Sequence, residues 1–364
     1  MDLKDRFRDL AQDNLTAAVK DRRHLHANPE LSFKEYETQA YVASRLKEMD
    51  IPFREVAGTG LIGEIRGGKG AGPTIALRAD MDALPIQEAN EVAYKSRNPG
   101  VMHACGHDVH TTCLLGAASI LQQTRAHLRG TIRLLFQPGE ELLPGGATLM
   151  IRDGALANPV PEAIFGQHVH PPLTAGKVGF RPGIYMASTD ELYLTVTGRG
   201  GHGAMPHHAV DPIVITAQII TAVQQLISRN TDPTLPAVIT FGKIESEGGA
   251  TNIIPNTVRV AGTLRTLDEA WRAALKQRLG QLASGMAAAL GGQATIAIHD
   301  GYPFLKNDES LTRAAWAKAQ DFLGEDKVVE LPIRMTGEDF AFYSHHVPAC
   351  FYRLGVANPE RGIT

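Results

Sequence analysis

The sequence predicts an α/β chain in two parts. A domain with a mixed, mainly parallel sheet flanked by helices spans residues 1–180 and 301–364, and an inserted α+β domain of ferredoxin-like βαββαβ order spans 181–300. Three observations carry this reading. Short apolar strands alternate with helical stretches in the first half, and its acids, imidazoles and thiol stand just past a strand or at a helix start, the rim where open α/β sheets place ligand groups. From about Arg181 the pattern becomes strand, long helix, two strands, long helix, strand. After residue 300 helix and strand resume, which makes the middle block an insertion.

Composition narrows the function. A chain of 364 residues can build two cores. Its net charge of −3, with acids and bases interspersed, offers no basic stripe for nucleic acid and no cationic face for a membrane. No segment reaches the ~18 apolar residues of a membrane span, and the first ten residues lack the apolar core of a signal peptide. Three cysteines, Cys105, Cys113 and Cys350, are too few and odd in number for a disulfide framework. The expectation is a cytoplasmic protein acting on a small molecule.

Taken in order, the opening reads as helix up to Met49, broken at Asn28-Pro29. His24 and His26 lie outside any strand-end loop and read as structural. Gly58-Thr59-Gly60-Leu61-Ile62-Gly63 fits a dinucleotide fingerprint, but the following residues form strand and turn where that motif needs a helix; a β-hairpin is expected instead. Thr74–Arg78 is a strand ending in Asp80 and Asp82. Met102–His110 packs three imidazoles, a thiol and a carboxylate into nine residues. Cys105 and His107, two apart, cannot share a helix face, so a loop is expected to aim both inward before a helix from His110 to Gln123. There the helix dipole and any bound cation would lower the Cys105 pKa.

Strand Gly130–Phe136 runs into Gln137-Pro138-Gly139-Glu140-Glu141, and strand Ala163–Gly166 into Gln167-His168-Val169-His170. In the insertion the strands are Glu191–Thr197, Ala237–Ile244, Thr257–Thr266 and Ala294–Ile298. Its helices are Asp211–Arg229, announced by Asp-Pro, and Leu267–Leu290. Asp308–Leu323 and Ala349–Val356 resume helix and strand. Thr336-Gly337-Glu338-Asp339 reads as a capping box.

Glu140 and Glu141, adjacent on irregular backbone, point in different directions, so one can bind metal while the other stays free as a base. With Cys105, His107 and His168 they supply four ligands and a carboxylate for proton transfer, the equipment for metal-activated water to attack a carbonyl. A purely structural zinc site would close with four Cys or His and keep no spare base.

These residues resemble the M20 metallopeptidase family, specifically its branch of hippurate hydrolases, N-acyl-amino-acid amidohydrolases and plant auxin-conjugate hydrolases. The similarity runs through Arg23–Ser32, Arg78–Pro85, Met102–His110, Gln137–Glu141, Gly166–His168, Gly200–His207, Asn252–Asn256 and Gly337–Phe340. It implies that Cys105, His107, Glu141 and His168 bind two divalent ions, manganese or zinc foremost and cobalt or nickel as alternatives. It further implies that Glu140 is the general base and that Asp82 orients a ligand. The inserted domain would act as a dimerisation and lid domain, with His202, Asn252 and Arg265 reaching the substrate, some across the dimer. The implied activity is hydrolysis of N-acyl or N-aroyl amino acids. An aminopeptidase, a diaminopimelate-type deacetylase or a non-catalytic metal-binding homologue are the alternatives. Family members continue to a final metal-binding His that this sequence, stopping at Thr364, does not show; the expectation is a weaker second ion.

Overall fold

The computed structural model describes residues 2–363; Met1 and Thr364, with the expectation attached to the chain's end, lie outside the described residues. Helix α1 (Leu3–Ala27) stops at Asn28-Pro29, where proline forbids continuation, and α2 (Tyr36–Glu48) follows. Strands β1 (Phe53–Val56) and β2 (Gly60–Arg66) pair antiparallel as the expected hairpin, with Gly58 at φ 80° in its turn. Then come β3 (Thr74–Asp80), α3 (His107–Gln123), β4 (Thr131–Gln137), α4 (Gly146–Arg152), β5 (Ala163–Thr174), β6 (Val178–Phe180) and β7 (Gly183–Met186). The middle block holds β8 (Asp190–Thr197), β9 (Gly201–His202), α5 (Pro212–Gln225), β10 (Ala237–Ser246), β11 (Ile253–Ile254), β12 (Thr257–Thr266), α6 (Glu269–Ala289) and β13 (Gln293–Asp300). The chain closes with β14 (Leu305–Asn307), α7 (Glu309–Leu323), β15 (Val328–Glu330), α8 (Ala341–Ser344) and β16 (Ala349–Ala357).

Two compact units result. One comprises the residues up to Tyr185, Lys306–Ile333 and those from Asp339 onward; the other comprises Met186–Leu305 and Arg334–Glu338. The first is built on an eight-stranded mixed sheet of order β1-β2-β4-β3-β5-β16-β6-β15. Its centre is parallel: β3 pairs with β4 and β5, and β5 with β16. Because Asp80 stands opposite Gln137 and Arg78 opposite Gly166, the ends of β3 and β4 and the middle of β5 reach one rim. Leu46, Leu61, Leu115, Leu134 and Phe136 pack one core beneath it.

The second unit carries a four-stranded antiparallel sheet, β10-β12-β8-β13. Leu192, Leu194 and Val196 alternate inward on β8. They meet Ile215, Ile219 and Val223 at four-residue spacing on α5, and Leu275, Leu279, Ala283 and Ala287 on α6. Asp211 caps α5 by accepting the Ile213 N–H, with Pro212 in the first turn, as Asp-Pro announced.

Two boundaries differ from the sequence reading in ways that matter for the site. Strand β5 does not end at Gly166 but runs to Thr174, because β16 keeps pairing with it past the expected end, Arg353 opposite His168 and Gly355 opposite His170. Helix α3 begins at His107, three residues early.

Candidate metal centre

Cys105 is on the loop before α3, whereas His107, expected beside it on the loop, is the first helical residue. Between them Gly106 takes φ 86°, and a Cβ there would stand 2.6 Å from the Val169 side chain, so the turn requires glycine. The His107 Nδ1 lies 3.2 Å from Asp82 Oδ1, while its buried Nε2 has no hydrogen-bond partner. His168 Nδ1 donates to the Val169 carbonyl at 2.7 Å, leaving its Nε2 3.3 Å from the Cys105 sulfur. Glu141 donates its N–H to Asp82 Oδ2 at 3.0 Å, and its buried Oε1 is also without a partner. One carboxylate, Asp82, steadied by the Ser32 hydroxyl, thus orients both His107 and Glu141.

Donor atoms of Cys105, His107 and His168 lie within 4.8 Å of one another, and so do those of His107, Glu140 and Glu141. Two bare buried donors at the shared edge of these groups fit a metal site, since a buried polar atom left unpaired is costly unless something else satisfies it. A third group, Asp80, His107 and His110, also converges, yet two of its members are already engaged. His110 Nε2 accepts the Val169 N–H at 2.9 Å, so its Nδ1 carries the proton and donates to Asp80 Oδ1 at 2.6 Å; Asp80 Oδ2 takes Arg78.

The charges are set by burial against pairing. Burial would lower the pKa of His107, but Asp80 and the bond to Asp82 hold it well above 6.5. Burial raises Glu141 and lowers His168 well below the usual histidine value. Burial also raises the Cys105 thiol, against a smaller effect of His107. The expected lowering of this thiol included a bound cation; without one, burial dominates and the thiol stands above its ordinary value.

Beneath the rim, Arg78 binds Asp80 and Asp339, each at 2.6 Å. Asp339 also accepts both Gln137 Nε2, at 2.7 Å, and the Ala147 N–H, at 2.9 Å, while its own N–H donates to Glu140 Oε1 at 3.3 Å. The capping-box reading of Thr336–Asp339 fails here: α8 starts without a side-chain cap, because Arg78 and Gln137 hold the Asp339 carboxylate. His24 stacks on Tyr41 with ring centroids 3.9 Å apart. His26 is buried between Asp108, at 2.8 Å, and Glu88, at 3.1 Å. Arg78, Asp80, His110 and Asp339 as a supporting network were not legible as a set; partners up to 261 residues apart share no local signal.

In the second unit, β9 and β11 pair His202 with Ile253, which puts Asn252 beside the glycine after His202: the Gly203 N–H donates to the Asn252 carbonyl at 2.7 Å. His202 is exposed, and its Nδ1 accepts the Ala204 N–H at 3.1 Å, so its Nε2 carries the proton. Arg265, near the end of β12, is half-buried, and burial lowers its pKa.

Comparison with known proteins places these features. The description of peptidase family M20/M25/M40 matches residues 76–363. An N-acetyl-L-cysteine deacetylase of Bacillus subtilis is 44% identical over 339 residues, covering 92% of this chain and 79% of its own. An N-acyl-L-amino acid amidohydrolase of Geobacillus stearothermophilus is 41% identical over 312 residues, 84% of this chain and 82% of its own. Among solved structures, a dinuclear metal binding peptidase of the M20 family from Bacillus subtilis superimposes with a TM-score of 0.79 at 36% identity, covering 93% of this chain and 88% of that one.

Proposed function

The chain belongs to peptidase family M20/M25/M40 and is a metal-dependent amidohydrolase; from that premise we propose that it cleaves the amide bond of N-acyl or N-aroyl amino acids, releasing a carboxylic acid and a free amino acid. The observation that supports this most is the juxtaposition of two bare buried donors, His107 Nε2 and Glu141 Oε1, with the neighbouring carboxylate of Glu140. We assign Cys105, His107, Glu141 and His168 as ligands of two divalent ions, manganese or zinc. Bound there, the ions would supply Lewis acidity for a carbonyl oxygen and for the attacking water. Glu140, held by the Asp339 N–H, takes a proton from that water and delivers it to the departing amine nitrogen. Asp82 pairs with the His107 Nδ1, which leaves Nε2 as the ring nitrogen that would give up its proton to a metal.

From the second unit we assign the Nε2–H of His202, with Asn252 beside it, to the developing oxyanion, and the Arg265 guanidinium to the free carboxylate of the amino acid. The edge strands of that unit's sheet, β10 and β13, offer backbone for pairing with a second copy, and a homodimer is the assembly this reading carries.

The test is a panel of N-acetyl, longer N-acyl and N-benzoyl amino acids beside unblocked dipeptides, assayed with added manganese, zinc or cobalt. Turnover of blocked amino acids with retention of dipeptides is expected. The reverse preference would make the chain an aminopeptidase. Glu140→Gln should lower kcat by roughly 100-fold or more with metal content unchanged, the range for removing a general base; a metal-storage homologue would turn over no substrate even unmutated.

A further inference from the structure

Glu35 is fully buried, and no cation pairs with it among the described residues. Its carboxylate instead receives two backbone N–H groups and one hydroxyl. Oε1 accepts the Gly139 N–H at 2.8 Å and the Phe33 N–H at 2.9 Å, and Oε2 accepts the Thr59 hydroxyl. Burial raises its pKa, with the Thr59 bond working against that. A carboxylate kept in such a place costs the fold stability, so what it holds is informative.

What it holds is the residue before Glu140. Gly139 is fixed from every side: its N–H by Glu35, its carbonyl by the Gly146 N–H at 2.9 Å, and its α-carbon by the Phe33 ring, which a Cβ at this position would overlap. The backbone there takes φ 58°, which glycine adopts without strain. The N–H groups on either side of Glu140 therefore both end on buried carboxylates: that of Gly139 on Glu35, and that of Glu141 on Asp82. The two anchors differ in what they serve. Asp82 also touches His107 and so orients the ligands, whereas the Glu35 carboxylate bonds none of the assigned ligands and joins the Gly139 turn to Phe33 and Thr59.

We propose that Glu35 is a positioning residue for the general base, clamping Gly139 so that the Glu140 carboxylate is aimed before substrate arrives. The inference rests on the assignment of Glu140 as base. Displacement of a reacting group by about 1 Å costs on the order of 100-fold in rate, and Glu35→Ala, which frees the loop without removing any reacting atom, should lower kcat by about 10- to 100-fold. KM should change by less than about threefold, since uniform binding is untouched, and the bound metal per chain should stay at the wild-type value. Glu35→Gln keeps an oxygen for the two N–H groups and lets the Thr59 hydroxyl accept from the new amide. It should restore kcat to within about threefold of wild type, the neutral side chain preserving the clamp.

The experiment is the set Glu35→Ala, Glu35→Gln, Glu140→Gln and Glu35→Ala/Glu140→Gln, with kcat, KM and metal content measured for each. If Glu35 acts through Glu140, the double variant turns over no more slowly than Glu140→Gln alone. Additive losses, or loss of metal in Glu35→Ala, would place Glu35 elsewhere and overturn the proposal. So would an unchanged kcat in Glu35→Ala while Glu140→Gln is crippled. Near-normal turnover in Glu140→Gln would instead sink the assignment of the base, on which the clamp depends. Should Glu35→Ala not fold, Thr59→Val, which frees only Oε2, carries the same test: a drop of about two- to fivefold that vanishes in the Glu140→Gln background supports the clamp, and no drop overturns it.

Discussion

Two buried clusters flank the start of α3, and both are made of imidazole and carboxylate. On one side His26 has each ring nitrogen occupied, by Asp108 and by Glu88, and Arg22 adds a guanidinium 2.9 Å from the same Asp108 oxygen. Burial would raise the Asp108 pKa, but His26, His103 and Arg22 bring it down to about 2. On the other side His107 is hydrogen-bonded through Nδ1 only, and its Nε2 lies 3.7 Å from Asp80 and 3.9 Å from Glu141 without a hydrogen bond. The sequence treats the two alike: a His near a motif, an acid some distance away. What separates them is the satisfaction of the imidazole: both His26 nitrogens have partners, although Asp108 Oδ1 beside them is buried without one. An imidazole bonded through both nitrogens holds elements together; one with a bare nitrogen among other donors can hold something else. His103 refines the point, for both of its nitrogens are buried and without a hydrogen bond, yet among the described residues it belongs to no group of three converging donors. A bare imidazole becomes a ligand only where other donors meet it.

The contrast can be broken from either side. The largest effect is expected for His107→Ala, which should weaken metal binding by more than the roughly 100-fold that loss of a group behind a ligand costs, with activity falling in step. Calorimetric titration of the metal-free variant with zinc or manganese measures it, and wild-type affinity would remove His107 from the ligand set. Asp82→Asn keeps the shape but weakens the hold on His107 and Glu141, and about a 10- to 100-fold loss of metal affinity is expected, read by competition with a chromophoric chelator.

On the side of the doubly bonded imidazole, His26→Gln should leave kcat within about twofold while lowering stability by about 1.5–3 kcal/mol at pH 6, the range for hydrogen bonds to charged groups. The sign with pH follows from pairing. The Asp108 bond raises the His26 pKa above 6.5 against its burial. Its stabilising contribution is thus fully present below pH 6.5 and fades as pH rises through the folded-state value. Thermal melts should show wild type and variant converging toward alkaline pH; a gap that widens with pH would falsify this account of the network. The smallest effect belongs to His24→Ala, where loss of an exposed stack on Tyr41 should cost about 0.5–1 kcal/mol, measurable by urea unfolding with no change in metal affinity.

How much of this could be read from residues alone depends on distance along the chain. The ligand candidates were legible because Cys105 and His107 sit two apart and Glu140 and Glu141 are adjacent, spacings with direct chemical meaning. The strands and helices of the middle block were legible because each carries a clean period, down to the Asp211 cap. Glu35, Asp80, His110 and Asp339 were not, since each acts through a partner that only the sheet brings near. Asp339 misled, because a local cap signature is satisfied by sequence alone while Arg78 and Gln137 compete for the carboxylate only once the chain has folded. The extent of β5 was hidden for the same reason: its second half is a strand because β16 lies beside it.

That pairing also dictates an order of events during synthesis. β5 is an inner strand of the finished sheet, yet the neighbour that covers one side of it arrives late: Tyr352 on β16 and Gln167 on β5, joined by a hydrogen bond, are 185 residues apart. At roughly 5–20 residues per second on the ribosome, β5 waits about 10–40 s with an open edge while the whole second unit is made. Arg78 waits longer still for Asp339. The nascent first unit therefore carries an uncovered strand and an incompletely paired buried guanidinium through that interval, the kind of surface that chaperones shield and that crowded neighbours capture. Overexpression without a holdase should accordingly lose this protein to aggregation before completion of the chain rather than after it.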